Sequence, residues 1–148
     1  MKRVVTGYDQ DGKSVFVTTD EPPCGVTFEG GTRVTFCWET KGVPILPGDQ
    51  EDPTLTMTNM FPGPDGTTFV IGQFPGTSQV DMHMTDTVDY IAILSGEVWL
   101  VLDTGAEVHL TPGDCVVQNG TLHAWHNRTP EPCVWSGVLV GAKRQTEA

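Results

Sequence analysis

Glycine and proline set the length scale of anything this chain can build. The 17 Gly and 11 Pro make up about a fifth of the 148 residues, and they recur roughly every 8–14 residues between short β-branched and aromatic runs. That spacing leaves room for strands and turns but not for a sustained helix. No window of about 11 residues keeps apolar side chains at i, i+3, i+4 and i+7. The reading is therefore all-β, with strands expected at 3–6, 14–18, 32–39, 67–74, 88–94, 97–102, 107–110, 114–118, 123–127 and 133–140. Turns are read at DQDG (9–12), PGPDG (62–66), SG (95–96), DTG (103–105), TPGD (111–114) and NRTPEP (127–132). The acidic, Pro-punctuated stretch 46–59 is read as a loop or one short helical turn. Ten short antiparallel strands closing on themselves would leave no exposed sheet edge.

The length fits one domain over 1–148, with an irregular N-terminal arm and flanking strands in 1–62, a barrel core in 63–142 and a tail in 143–148. Lys and Arg number 8 against 19 Asp and Glu, a formal charge of -11. That balance argues against nucleic acid and anionic membrane surfaces as partners. The most apolar window, 90–102, is interrupted by Ser95, Gly96 and Glu97 and falls short of the roughly 20 residues a membrane helix needs. The start has no apolar stretch of signal-peptide type, so a cytoplasmic location is expected. Cys24, Cys37, Cys115 and Cys133 show no C-x-x-C or zinc-finger spacing and are read as buried reduced thiols.

One stretch runs from His83 to Gly96 as HMTDTVDYIAILSG, and a second runs from Pro112 to Asn127 as PGDCVVQNGTLHAWHN. Together, in that order, they resemble the two motifs of the cupin superfamily. His83 takes the first His position of the first motif, Thr85 the second, Asp89 the place of the usual Glu, and Gly96 the closing Gly. In the second motif Gly113, Gly120, His123 and Asn127 are in place, and Gln118 stands where Pro is usual. The resemblance spans about 45 residues. It implies a jelly-roll β-barrel, or double-stranded β-helix, with a site inside built by both motifs. The run from His83 to Asp103 also resembles small single-domain cupins of bacterial and fungal pathways. Small cupins of this kind commonly pair, which implies a homodimer to which residues 1–20 contribute.

Strand alternation places Asp89, Ile91 and Ile93 on one face, with Val88, Tyr90, Ala92 and Leu94 on the other. The same parity groups His123, Trp125 and Asn127. His83, Asp89 and His123 can thus converge, and two chemical readings stay open. As ligands they form a 2-His-1-carboxylate set for one divalent metal, Fe, Mn, Ni or Zn. As a metal-free group they supply acid and base, able to take a proton α to a carbonyl and protonate a departing hydroxyl. The catalytic candidates are His83, Asp89 and His123, and Thr85, Ile91 and Trp125 are expected in a substrate pocket. The first reading of function is a lyase, dehydratase or isomerase for a small, oxygenated organic substrate. The alternatives are a non-haem Fe(II)-type dioxygenase using the same residues and a non-catalytic ligand-binding barrel. His109 and His126 are read as surface residues, Trp99 and Trp135 as core or pocket-lining, Asp81 and Asp86 as turn and surface carboxylates, and Tyr90 as packing or a subunit contact. No serine-hydrolase, dinucleotide or P-loop signature is present.

Overall fold

The computed structural model of the protein describes residues 1–48 and 50–145. The order of elements is β1 (Arg3–Tyr8), β2 (Ser14–Asp20), β3 (Gly25–Thr27), β4 (Arg33–Thr40), a 3-10 turn (Pro53–Thr56), β5 (Thr67–Phe74), β6 (Ser78–His83), β7 (Thr87–Ser95), β8 (Val98–Leu102), β9 (Glu107–Leu110), β10 (Cys115–Gln118), β11 (His123–Asn127) and β12 (Cys133–Gly141). These fall into a hairpin β1-β2, a six-stranded sheet β10-β7-β12-β5-β4-β3 and a four-stranded sheet β6-β11-β8-β9. The neighbours pair antiparallel throughout. The two larger sheets face each other as a jelly roll. Among the described residues no strand of one sheet pairs with a strand of the other, and the two facing sheets give the expected jelly-roll fold.

All ten expected strands are present, with ends shifted by a residue or two, and two more accompany them. β3 has only three residues. β6, SQVDMH, shows one aliphatic residue among polar ones because its outer positions are exposed. The stretch after residue 46 contains a 3-10 turn, with Asp52 capping it by accepting from the Thr54 amide. The arm is more ordered than its composition suggested, since β1 and β2 form a hairpin through DQDG with Gly12 at φ 76°. Arg3 fastens that hairpin to the domain. Its guanidinium is buried, makes paired bonds of 2.9 and 2.6 Å to Asp20, and reaches Asp52 at 2.7 Å and Thr54 Oγ1 at 3.2 Å. The tail lies partly outside the described residues.

Alternation along the strands positions the core. β5 and β7 bury every second residue, as a half-covered strand must. Phe36, Val70, Val98 and Leu139 are fully buried between the sheets. No helix among the described residues is long and apolar enough to cross a membrane. The thiols divide: Cys37 and Cys133 are buried, Cys24 is half-buried and Cys115 is exposed on the outer face of β10. The all-buried expectation therefore fails for Cys115, whose strand alternates and turns that position to the outside. Burial raises both buried thiols, Cys133 to about 11.

Candidate functional site

Between the two sheets lies a cavity of about 450 Å³, within the size range of pockets for small organic molecules. Asp89, Ile91 and Ile93 line it from β7, His83 from the end of β6, His123 and Trp125 from β11, and Thr85 from the β6-β7 turn. Each residue expected at the site, catalytic or lining, therefore reaches one space. Convergence follows from register. His83 and His123 are cross-strand partners, so their imidazoles sit face to tilted face, with centroids 4.3 Å apart and planes at 49°.

Each imidazole is held through Nδ1. His83 Nδ1 lies 2.7 Å from the Asp81 carbonyl oxygen, an acceptor only, so this nitrogen carries the proton and the Nε2 lone pair is left free. His123 Nδ1 lies 2.8 Å from both the Thr121 carbonyl oxygen and Gln118 Nε2. Among the described residues neither Nε2 has a hydrogen-bond partner. Burial, with His83 adjacent, pulls the His123 pKa below the usual imidazole value against a weaker upward pull from the Thr121 carbonyl, so His123 is neutral at neutral pH.

Asp89 is the reverse case. It is 7% exposed, its Oδ1 is buried with no hydrogen-bond partner, and burial pushes its carboxyl above the ordinary range. The Thr87 hydroxyl and His83 pull it back only in part. The Thr87 and Thr85 hydroxyl oxygens lie 2.9 Å apart, within hydrogen-bond distance, which makes Thr85 part of the polar side of the cavity.

The apolar side is aromatic. Phe74 packs against Trp125 and against Trp135, with centroids 5.7 Å apart in each case. Trp135 lies on Gly72 of the neighbouring strand, where a Cβ would come within 2.1 Å of its indole. The mouth is formed by the β3-β4 turn, with Phe28 and Glu29, by Phe61 and by Asp81 of β6. These rim residues and Phe74 carried no motif in the sequence; the one available signal was their apolar or acidic character next to turns. Gln118, which secures His123, did have a signal, since it occupies the usual Pro position of the second motif.

The remaining expectations hold for Asp86 and Tyr90 and fail for Asp81 and Trp99. Asp81 is a strand residue on the cavity rim rather than a turn carboxylate, because β6 was not foreseen. Asp86 is a surface residue paired to Arg144 at 2.6 Å. Trp99 is not core: it faces outward, stacked 4.2 Å from exposed His109 and beneath Arg128 at 5.1 Å. His126 is half-buried, and Tyr90 faces outward, 53% exposed. Asn127 closes the motif structurally, donating to the Pro75 and Glu131 carbonyls and accepting from Thr129.

The donor types at the site suit a metal, two imidazole nitrogens and an unpaired carboxylate oxygen. Their placement does not, since among the described residues no three His, Cys, Asp or Glu side chains gather into a group that could hold an ion. What the arrangement offers directly is a neutral imidazole, a second imidazole beside it and a carboxyl held toward its protonated form.

The Cupin domain family matches residues 73–141. Phomopsin biosynthesis cluster protein C' of Diaporthe leptostromiformis is 34% identical over 136 residues, covering 86% of this chain and 70% of that protein. The cupin-domain-containing oxidoreductase fogC of Aspergillus ruber is 30% identical over 131 residues, covering 86% and 64%. Among solved structures, the polyketide cyclase RemF from Streptomyces resistomycificus aligns with a TM-score of 0.52 at 16% identity, over 73% of this chain and 63% of that one. A Cupin 2 conserved barrel domain protein from Salinispora arenicola aligns at 0.51 and 17% identity, over 77% and 79%. With both motifs lining the cavity of a two-sheet jelly roll and a relative of this similarity along most of its length, the chain belongs to the cupin superfamily.

Proposed function

We propose that the protein is an acid–base enzyme acting on a small carbonyl compound, in a dehydration or double-bond isomerisation. The observation that carries this is the convergence of His83, His123 and Asp89 on one cavity with, among the described residues, no hydrogen-bond partner on either Nε2. Opposite perturbations of neighbouring groups sort them into roles. Neutral His123 takes the proton on the carbon α to the carbonyl. In a β-hydroxy carbonyl substrate the freed electron pair forms the Cα=Cβ bond as the Cβ–O bond breaks. The departing hydroxyl takes the Asp89 carboxyl proton and leaves as water. The proton on His123 returns through His83 to the Asp89 carboxylate, so both groups are restored and no oxidant is consumed. For isomerisation the same proton is returned to a different carbon.

The test uses a β-hydroxy aryl ketone in D2O with EDTA present, followed by NMR. Deuterium is expected at the α-carbon and enone is expected to accumulate. His123→Ala should lose both by about 10²–10⁴-fold; Asp89→Asn should keep exchange and lose dehydration. No α-exchange by the wild type, or equal exchange by His123→Ala, refutes the proposal.

A second reading, an oxidoreductase, is favoured by the names of relatives such as fogC and the virC protein of Hypocrea virens. It requires a metal or another redox partner that the side chains as placed do not gather. Elemental analysis of untagged protein decides: about one Fe, Mn, Ni or Zn per chain, lost in His123→Ala, supports this reading, while activity in EDTA with no bound metal supports the first.

A further inference from the structure

The charges that the cavity lacks narrow what it admits. Glu29, Asp81 and Asp89 line it, and among the described residues no Lys or Arg does. Among the described residues Arg3 is paired to Asp20 and Asp52, Arg128 to Glu107 and Arg144 to Asp86, and Arg33, between the lining residues Thr32 and Val34, alternates to the exposed face of its strand. A ligand carboxylate or phosphate entering this space would pass two rim carboxylates and then lose water with no guanidinium or ammonium to replace it, a costly transfer. A cation gains little more. The rim carboxylates are exposed and screened by solvent, and the one buried carboxyl, Asp89, lines the cavity but is held by burial toward its uncharged form.

What the cavity does offer is ring surface. Phe74, Trp125 and Trp135 form one continuous wall, and Phe28 and Phe61 stand exposed at the mouth. Flat aromatic groups pack on such a wall in offset or tilted fashion. The hydrogen-bonding groups, His83, His123 and Thr85, lie together on the polar side.

We infer that the cavity selects an uncharged ligand with a flat aromatic body and a ketone or hydroxyl oxygen, and rejects the anion of the same shape. The position of that oxygen beside the two imidazoles rests on the acid–base reading above; the charge selection and the aromatic body do not.

The experiment is direct binding, by isothermal titration with saturation-transfer NMR as a check, of three probes: 2-acetonaphthone, 2-naphthoate and 2-naphthylmethylammonium. The wild type should bind the ketone and bind 2-naphthoate at least about tenfold more weakly. The charge reversal Glu29→Lys with Asp81→Lys should tighten 2-naphthoate relative to the ketone by about two- to fivefold, the size that solvent screening at the rim allows. Glu29→Gln with Asp81→Asn, which removes charge without adding length, should move 2-naphthoate in the same direction by less. Wild-type binding of 2-naphthoate as tight as the ketone, tighter binding of the ammonium than of the ketone, or no saturable binding of any probe overturns the inference. Because the readout is binding, its failure separates from that of the reaction. A protein that discriminates in this way but exchanges no α proton keeps this inference and loses the proposed reaction. One that exchanges but takes 2-naphthoate equally well does the opposite.

Discussion

Gly72→Ala is the substitution whose effect the geometry defines most closely. A Cβ at residue 72 would lie 2.1 Å from both Cε2 and Cζ2 of Trp135 and 2.6 Å from its Nε1. Ordinary carbon contacts fall at roughly 3.5–4.0 Å, so the indole must retreat by about 1.5 Å. On another side Gly137 is already close enough that its own Cβ would meet Trp135 Cζ3 at 2.8 Å. The open direction is the cavity. No hydrogen bond opposes the shift, because the buried Trp135 Nε1 has no partner. Overpacking of this kind costs about 1–3 kcal/mol. At this chain length each kcal/mol lowers Tm by about 2–4 °C, so a fall of about 2–12 °C is expected by calorimetry. The displaced indole takes up ligand space, and 2-acetonaphthone should bind at least about tenfold more weakly. Adding Trp135→Phe removes the ring atoms that the new methyl meets, so the double variant should be more stable than the sum of the two single changes. Unchanged Tm and unchanged ketone affinity in Gly72→Ala would refute the packing argument and, with it, the position given to the aromatic wall.

Three other outcomes are expected. Arg3→Met should loosen the N-terminal hairpin, seen as faster amide exchange in β1 and β2. The Arg3 hydrogen bond lowers the Asp20 carboxyl; at Asp52 burial pushes upward but bonds from Arg3 and Thr54 outweigh it. Both carboxyls thus lie lower in the folded state than unfolded, their contribution is present above the ordinary carboxylate range, and the Tm gap to wild type should narrow as pH falls through it. Asp89→Asn should have the opposite sign: because burial raises this carboxyl in the folded state, wild type loses stability as pH rises past the ordinary value. The variant should therefore melt higher at neutral pH while losing dehydration, the trade-off expected of a strained functional group. Sedimentation should give twice the chain mass. Tyr90, Leu94, Val117 and Phe69 are 53%, 51%, 58% and 42% exposed on the outer face of the six-stranded sheet, so Tyr90→Arg with Val117→Lys should yield the monomer, and a monomeric wild type would remove the homodimer expectation.

The sequence was most informative where periodicity and turn chemistry agreed. β5, β9 and β11 were read with their bounds intact because alternating apolar residues ran between unambiguous turns. That Asp89, Ile91 and Ile93 share one face followed from parity, and that this face points inward followed from the motif position of Asp89. β6 was missed for a physical reason: its partners cover only one side of it, so SQVDMH carries no apolar period, and Asp81 was misplaced with it. Trp99 was misread because an indole covered by His109 and Arg128 on the outside leaves the same trace in sequence as one in the core. The cavity rim was illegible, since Phe28, Glu29 and Phe61 come together only when two distant turns meet over the sheets.

Chemistry and shape occupy different parts of this chain. His83, Asp89, His123 and Trp125 fall inside the matched family segment, residues 73–141, whereas of the entrance residues Phe28, Glu29 and Phe61 fall outside it and Asp81 inside. Apart from Asp81, which shares β6 with His83, the entrance is borne by turns of its own, so that part can be exchanged as a module. Grafting the 27–32 and 59–62 segments of a relative onto this scaffold should carry over what is admitted while leaving untouched what is done to it. Relatives that share this centre are thus free to diverge in diet without changing their chemistry.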